Sequence, residues 1–147
     1  MREIKFRGQD GISKQFVFGD LIHGVAYKAG NTYILPPVGN LAYVPNCDPL
    51  DGVRVKPDTV GQYTGVTDKN GKEIYEGDVA LYIKHSFDEE SENMDEVFTD
   101  VIGAVVFEYG CFQHEKSRFG WEGERSILLD DCEIIGNIHE NPELLQL

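Results

Sequence analysis

The chain has 147 residues, with 13 Lys and Arg against 26 Asp and Glu and a formal net charge of −13. A field of that sign repels phosphate, which excludes general nucleic-acid binding through a basic face and attraction to an anionic membrane surface. Three cysteines, Cys47, Cys111 and Cys132, are an odd count at wide spacing, unlike the paired framework of a small secreted domain, so a reduced cytoplasmic setting is expected.

In chain order, the opening Met1-Arg2-Glu3-Ile4-Lys5-Phe6-Arg7 lacks the apolar run of a signal peptide, and no stretch reaches the roughly 20 apolar residues that cross a bilayer. A soluble protein is expected. Apolar residues then alternate with period two, or run briefly, in segments rich in Val, Ile, Tyr and Phe, which predicts strands at 3–7 and 15–23. The stretch 24–57 holds five of the six prolines (Pro36, Pro37, Pro45, Pro49, Pro57) and reads as an irregular insertion, with short strand patterns only at 32–36 and 41–44. A strand at 59–64 leads to Asp68-Lys69-Asn70-Gly71, whose Asn-Gly pair tolerates positive φ at both central turn positions and predicts a hairpin to residues 72–76.

The charge changes at this point. Residues 1–72 carry 9 bases and 7 acids, whereas 73–147 carry 4 bases and 19 acids. A strand at 78–84, with Val79, Leu81 and Ile83 on one face, runs into Asp88-Glu89-Glu90-Ser91-Glu92-Asn93-Met94-Asp95-Glu96, so 86–98 reads as a mobile, solvated acidic loop. The next strand, 100–108, is apolar on both faces and belongs at the centre of a sheet, with Gly103 and Ala104 marking a bend or a close approach. Strands at 111–115, 126–129 and 133–139 follow. Asn141-Pro142-Glu143 predicts one short C-terminal helix, with Asn as cap and Pro in the first turn.

Few residues are arranged for chemistry. Gly65 to Glu73 has one residue too many between its glycines for a phosphate loop, and Glu73 stands where a magnesium-binding hydroxyl belongs. The same segment places its glycine too early for a calcium loop. His23, His85, His114 and His139 are scattered and there is no Cys-x-x-Cys, so neither a metal nor another cofactor is expected. Cys111 and His114, with Asp130, Asp131 or Cys132, sketch a thiol nucleophile, but residues three apart on a strand point to opposite faces. The plainer expectation is a buried Cys111 and a His114 at a solvated edge. The carboxylate pairs Glu73/Glu76, Glu122/Glu124 and Asp130/Asp131 are what an acid-rich composition produces anyway. Trp121, between Gly120 and Glu122, fits either a partner anchor or a plug closing one end of a barrel.

Four blocks carry a resemblance. They are Arg2-Glu3-Ile4-Lys5-Phe6-Arg7-Gly8, the run from Gln62 through Gly71-Lys72-Glu73-Ile74-Tyr75-Glu76-Gly77-Asp78 to Val79, Gly103-Ala104-Val105-Val106-Phe107-Glu108-Tyr109-Gly110-Cys111-Phe112, and Ile134-Ile135-Gly136-Asn137-Ile138-His139-Glu140-Asn141-Pro142-Glu143-Leu144-Leu145. Together and in this order they resemble the YopX family of bacteriophage and prophage proteins. The resemblance implies a mostly β protein from a mobile genetic element, placed in a bacterial cytoplasm, and carries no catalytic residue onto this sequence. Glu76-Gly77-Asp78-Val79 looks like the entry to the first long strand of a small barrel similar to SH3-like modules, with 103–107 and 110–113 as its next strands and 126–129 and 133–138 closing it.

The expected fold is therefore all-β, or mainly β. An N-terminal β lobe, 1–72, carries the insertion 24–57 and packs with a C-terminal SH3-like small barrel, 73–147, that carries the acidic loop 86–98. The expected function is that of a non-enzymatic accessory protein binding a host or phage protein through Asp88, Glu89, Glu90, Glu92, Asp95, Glu96 and Trp121. Two alternatives stand beside it: an acidic DNA mimic or antirepressor acting on a basic regulator, and a small enzyme using Cys111 and His114 or a carboxylate pair. Uncovered sheet edges leave self-association open.

Overall fold

A computed structural model describes residues 1–23, 31–37, 52–88, 90–93, 95–117 and 127–146. These residues are mainly β and divide into two compact units, Met1–Gly65 and Val66–Leu147. The strand pattern at 41–44, Cys47, Glu89, Trp121 and the pair Glu122/Glu124 lie outside the described residues.

One sheet has six strands, β1 (Phe6–Gln9), β2 (Phe16–His23), β3 (Thr32–Leu35), β4 (Val53–Val55), β5 (Gly61–Thr67) and β6 (Glu73–Tyr75), in the order β4-β3-β2-β1-β5-β6; β1 to β4 and the start of β5 belong to the first unit. The β1–β2 hairpin turns on Asp10, whose carboxylate accepts hydrogen bonds from Ile12 N–H (3.0 Å) and the Ser13 hydroxyl (2.7 Å). Arg7 is buried with its guanidinium 4.9 Å from the Phe16 ring centre, and the Lys5 ammonium lies 4.8 Å over the Tyr63 ring. The Thr59 hydroxyl donates to Lys56 O (2.7 Å) and accepts from Gln9 N–H (2.8 Å), tying the 3₁₀ turn Pro57–Thr59 to β1.

Strand β4 lies near the end of the stretch 24–57, where the sequence reading places no strand. Val53 and Val55 are buried and Arg54 is exposed, an alternation only three residues long and therefore too short to register as a period.

In the second unit β5 ends at a turn and is followed by β6 (Glu73–Tyr75), as expected. The turn differs from the expected type. Gly71 N–H bonds Asp68 O (2.9 Å), Asp68 N–H bonds Lys72 O (2.7 Å), and of the Asn-Gly pair Gly71 alone takes positive φ, 84°. This is a type I turn closed by a glycine bulge. The two-residue turn with both φ positive lies instead at Tyr109 (52°) and Gly110 (82°).

The main sheet of this unit consists of β7 (Asp78–Phe87), β8 (Glu96–Glu108), β9 (Cys111–His114) and β10 (Glu133–Asn137), in the order β10-β7-β8-β9. Its core gathers Ile74, Ala80, Val105, Leu129, Cys132 and Ile134, with Tyr82, Phe112 and Ile127 packed against them. β8 is central, as its two apolar faces predicted, and a Cβ on Gly103 would sit 2.5 Å from His114 Cε1.

No barrel is closed among the described residues: β9 and β10 end the sheet on opposite sides. Of the expected closing strand at 126–129, the described residues 127–129 form no strand, because Leu129–Asp131 is a 3₁₀ turn that directs Leu129 into the core. β10 pairs with β7. The C-terminal helix is a 3₁₀ turn, Pro142–Gln146, and the Asn141 side chain accepts from Asn137 N–H (3.4 Å).

Candidate functional site

Strands β7 and β8 are longer than the sheet that supports them. Their pairing runs without interruption from Val79 opposite Ala104 to Phe87 opposite Glu96. β10 covers β7 only over Asp78–Leu81, and β9 covers β8 only over Val105–Glu108. Beyond these points the two strands continue as a ribbon, the β7–β8 arm, whose residues 83–85 and 95–100 are exposed.

The register fixes what each face of the arm presents, because cross-strand partners share a face and side chains alternate along each strand. One face carries Ile83, His85 and Phe87 opposite Asp100, Phe98 and Glu96. Ile83 is 45% exposed, Phe87 52% and Phe98 64%, large values for side chains that strands normally bury. The rings are ordered all the same. His85 stacks on Phe98 with centroids 4.9 Å apart and planes at 20°, and meets Phe87 at 5.1 Å and 60°. At the rim of this strip Glu96 Oε2 lies 3.5 Å from His85 Nε2.

The acidic segment closes the arm as a hydrogen-bonded turn. Asp88 N–H donates to Asp95 O (2.9 Å), Glu90 N–H to Asp88 Oδ1 (3.0 Å), and the Ser91 hydroxyl to Asp95 Oδ2 (2.8 Å). The loop expected over 86–98 is therefore shorter. Ser86 and Phe87 belong to β7, Glu96, Val97 and Phe98 belong to β8, and only 88–95 forms the connection. The density of charge hid the ladder, although Val97-Phe98-Thr99 is strand-forming and Ile83-His85-Phe87 continues the period set by Val79 and Leu81. Asp88, Glu90, Glu92 and Asp95 lie in this connection and Glu96 opens β8, with Asp88 and Asp95 acting as turn acceptors.

The thiol sketch is not assembled. His114 pairs across from Val105 and Cys111 across from Glu108, which puts the two side chains on opposite faces of β9. The expected burial is also reversed: His114 is 0% exposed and Cys111 is partly exposed beside the Tyr109-Gly110 turn. His114 Nδ1 accepts from Lys116 N–H (3.1 Å) and Nε2 lies 3.1 Å from Ala80 O, so Nε2 carries the proton and both nitrogens are engaged. Burial holds the imidazole below its usual pKa, outweighing the Ala80 carbonyl and the Glu115 charge.

Cys132 is equally unsuited to nucleophilic work. Burial, and then the Asp131 and Asp130 charges, push its thiol up to about 11, and its Sγ faces Leu128 O at 3.3 Å. Among the described residues no three His, Cys, Asp or Glu side chains gather as a metal site, and no helix is long and apolar enough to cross a membrane.

Asp68 is the other charged group with strong local order, and its role is architectural. Oδ1 accepts from Asn70 N–H (2.8 Å) and Lys72 N–H (2.9 Å), and Oδ2 from Ile134 N–H (3.0 Å), so one carboxylate joins the β5–β6 turn to β10. Burial pushes its carboxyl up, but the bonds from Ile134, Lys72 and Asn70 outweigh that and hold it below the usual carboxylate value.

The model of the YopX protein family matches residues 5–146. No curated protein matches the sequence. Among solved structures, the crystal structure of protein EF1440 from Enterococcus faecalis is similar, with a TM-score of 0.53 and 22% identity over 99% of each chain. A likeness at that identity speaks for the fold alone.

Proposed function

Since the chain belongs to the YopX family over nearly its whole length, we propose that it is a non-enzymatic accessory protein of a phage or prophage, an interaction module that binds a host or phage protein through the β7–β8 arm. One observation carries this reading: Ile83, Phe87 and Phe98 are held in order on one face of a ribbon and left in water. Apolar surface of this kind, rimmed by polar groups, marks interaction sites. The test is affinity capture from bacterial host lysate with the intact protein and with a variant whose residues 84–99 are replaced by an Asn-Gly turn. The expected result is a captured protein that the variant loses while keeping its cooperative thermal unfolding. Equal capture by both proteins would reject the arm as the site.

A second reading, an acidic mimic of nucleic acid acting on a basic regulator, draws on the order of the tip. The Asp88 and Asp95 carboxylates each accept a hydrogen bond within the turn, which orients these two acidic groups. That reading requires the protein to displace DNA from a basic regulator of its host. Competition that fails against every such regulator tried would remove it.

A further inference from the structure

The two faces of the arm differ, and their chemistry narrows the partner. This step rests on the arm being a protein-binding element, as proposed above. The apolar strip holds His85 stacked on Phe98 and in tilted contact with Phe87, with Ile83 further along the same face. Glu96 and Asp100 share that face, as the cross-strand partners of Phe87 and Ile83. Beyond them the turn adds Asp88, Glu90, Glu92 and Asp95, and among the described residues the arm's only basic side chain besides the histidine is Lys84, on the opposite face.

We infer that the arm docks a cationic amphipathic peptide segment of its partner, whose apolar side chains cover the Phe98–His85–Phe87 strip while Lys or Arg side chains reach the surrounding carboxylates.

Charge complementarity decides between the occupants. A second copy of this chain, laid arm to arm, would set one carboxylate rim against another, and like charges across an interface oppose docking. An anionic bilayer or a nucleic acid meets the same repulsion. A neutral apolar segment would cover the rings and leave the rim carboxylates partly desolvated without partners, which is costly. A segment with both characters satisfies rings and rim together, and Arg adds stacking on an exposed ring face. Because the rings are already ordered against one another, little side-chain freedom is lost on docking.

The probe is a fluorescently labelled short peptide of alternating Lys and Val, compared by anisotropy with a Lys-Ser and a Glu-Val counterpart. The expected result is binding of the Lys-Val peptide alone. Its Kd should weaken at least about tenfold with Phe98→Ser, by a similar factor with Glu96→Gln and Asp100→Asn combined, and on raising salt from about 50 to about 300 mM. Phe98, Glu96 and Asp100 are exposed, so these variants keep the fold, which their unfolding transitions check.

Equal binding of the Lys-Ser peptide would leave only charge, equal binding of the Glu-Val peptide would leave only apolar contact, and binding of no peptide would leave neither; each overturns the inference. A dimer in sedimentation that Phe98→Ser dissociates would also overturn it, by assigning the face to a second copy. If replacement of the arm abolishes capture from lysate while the Lys-Val peptide does not bind, the inference fails and the arm's role stands. If replacement leaves capture unchanged, that role itself fails.

Discussion

Asp68 shows how one side chain can join elements far apart in sequence. It sits in the turn that the Asn-Gly signal located, yet one of its oxygens is spent on Ile134, 66 residues away, and sequence contains no mark of that partner. Asp68→Ala should leave Ile134 N–H without an acceptor and remove two charge-assisted bonds within the turn, lowering stability by about 2–3 kcal/mol in urea unfolding at neutral pH. Because the folded pKa is depressed, the unfolded chain takes up the proton first. The stabilisation is therefore complete above the ordinary carboxylate value and is lost as pH falls through the folded one. The gap between wild type and Asp68→Ala should accordingly close on acidification below about pH 4, and a gap independent of pH would contradict the assignment. His114 contributes a slope of its own. Its folded pKa is also lowered, so below about pH 6.5 the unfolded state binds a proton that the native state refuses, and stability falls as pH drops. The unfolding free energy of the wild type, from urea titrations, should decline between pH 7 and pH 5, by no more than about 1.4 kcal/mol per pH unit for this one proton, and His114→Gln should flatten that decline. Protonation would place a second donor at Nδ1, where Lys116 N–H already donates.

Among the elements, β8 was the most legible. Its apolar character on both faces placed it inside a sheet, and Gly103 marked the close approach that the structure shows. Gly103→Ala would set a Cβ 2.5 Å from His114 Cε1 and 2.9 Å from Glu115 Cγ, and His114 is fixed at both nitrogens. The expected cost is about 1–3 kcal/mol, read as a lowered denaturation midpoint with unchanged slope; a neutral substitution would mean that the ring can move aside. The far ends of β7 and β8 were not legible, because a run of carboxylates satisfies every compositional sign of a solvated loop while the backbone ladder beneath it is indifferent to charge. Six carboxylates from Asp88 to Glu96 dominate the composition of the segment, whereas the rings that distinguish the arm, His85, Phe87 and Phe98, lie at its margins. Turn chemistry was legible as to place and less so as to type: Gly71 takes positive φ without Asn70, and Tyr109 takes it although nothing in a tyrosine favours that conformation.

Across the whole molecule the excess negative charge belongs to one unit. Val66–Leu147 carries 20 acids against 6 bases, while Met1–Gly65 carries 6 against 7. Self-repulsion within the acidic unit opposes compactness and is screened by salt, so thermal unfolding should move upward by about 2–4 °C between about 10 and about 150 mM NaCl. A melting temperature that stays constant or falls over that range would show that the carboxylates are already neutralised within the fold. The sequence by itself determined the β class, the family, the order of most strands, the hairpin at Asp68–Gly71 and the polarity of the charge, because each of these is written in residues that are neighbours along the chain. Only the tertiary structure decided that the second sheet stays open, that His114 is buried and Cys111 is not, that Asp68 reaches Ile134, and that β7 and β8 outrun their neighbours to expose a row of rings. Those features depend on which strand lies beside which and where each pairing stops, and hydrogen bonds between distant backbone groups leave no periodic trace in the order of side chains.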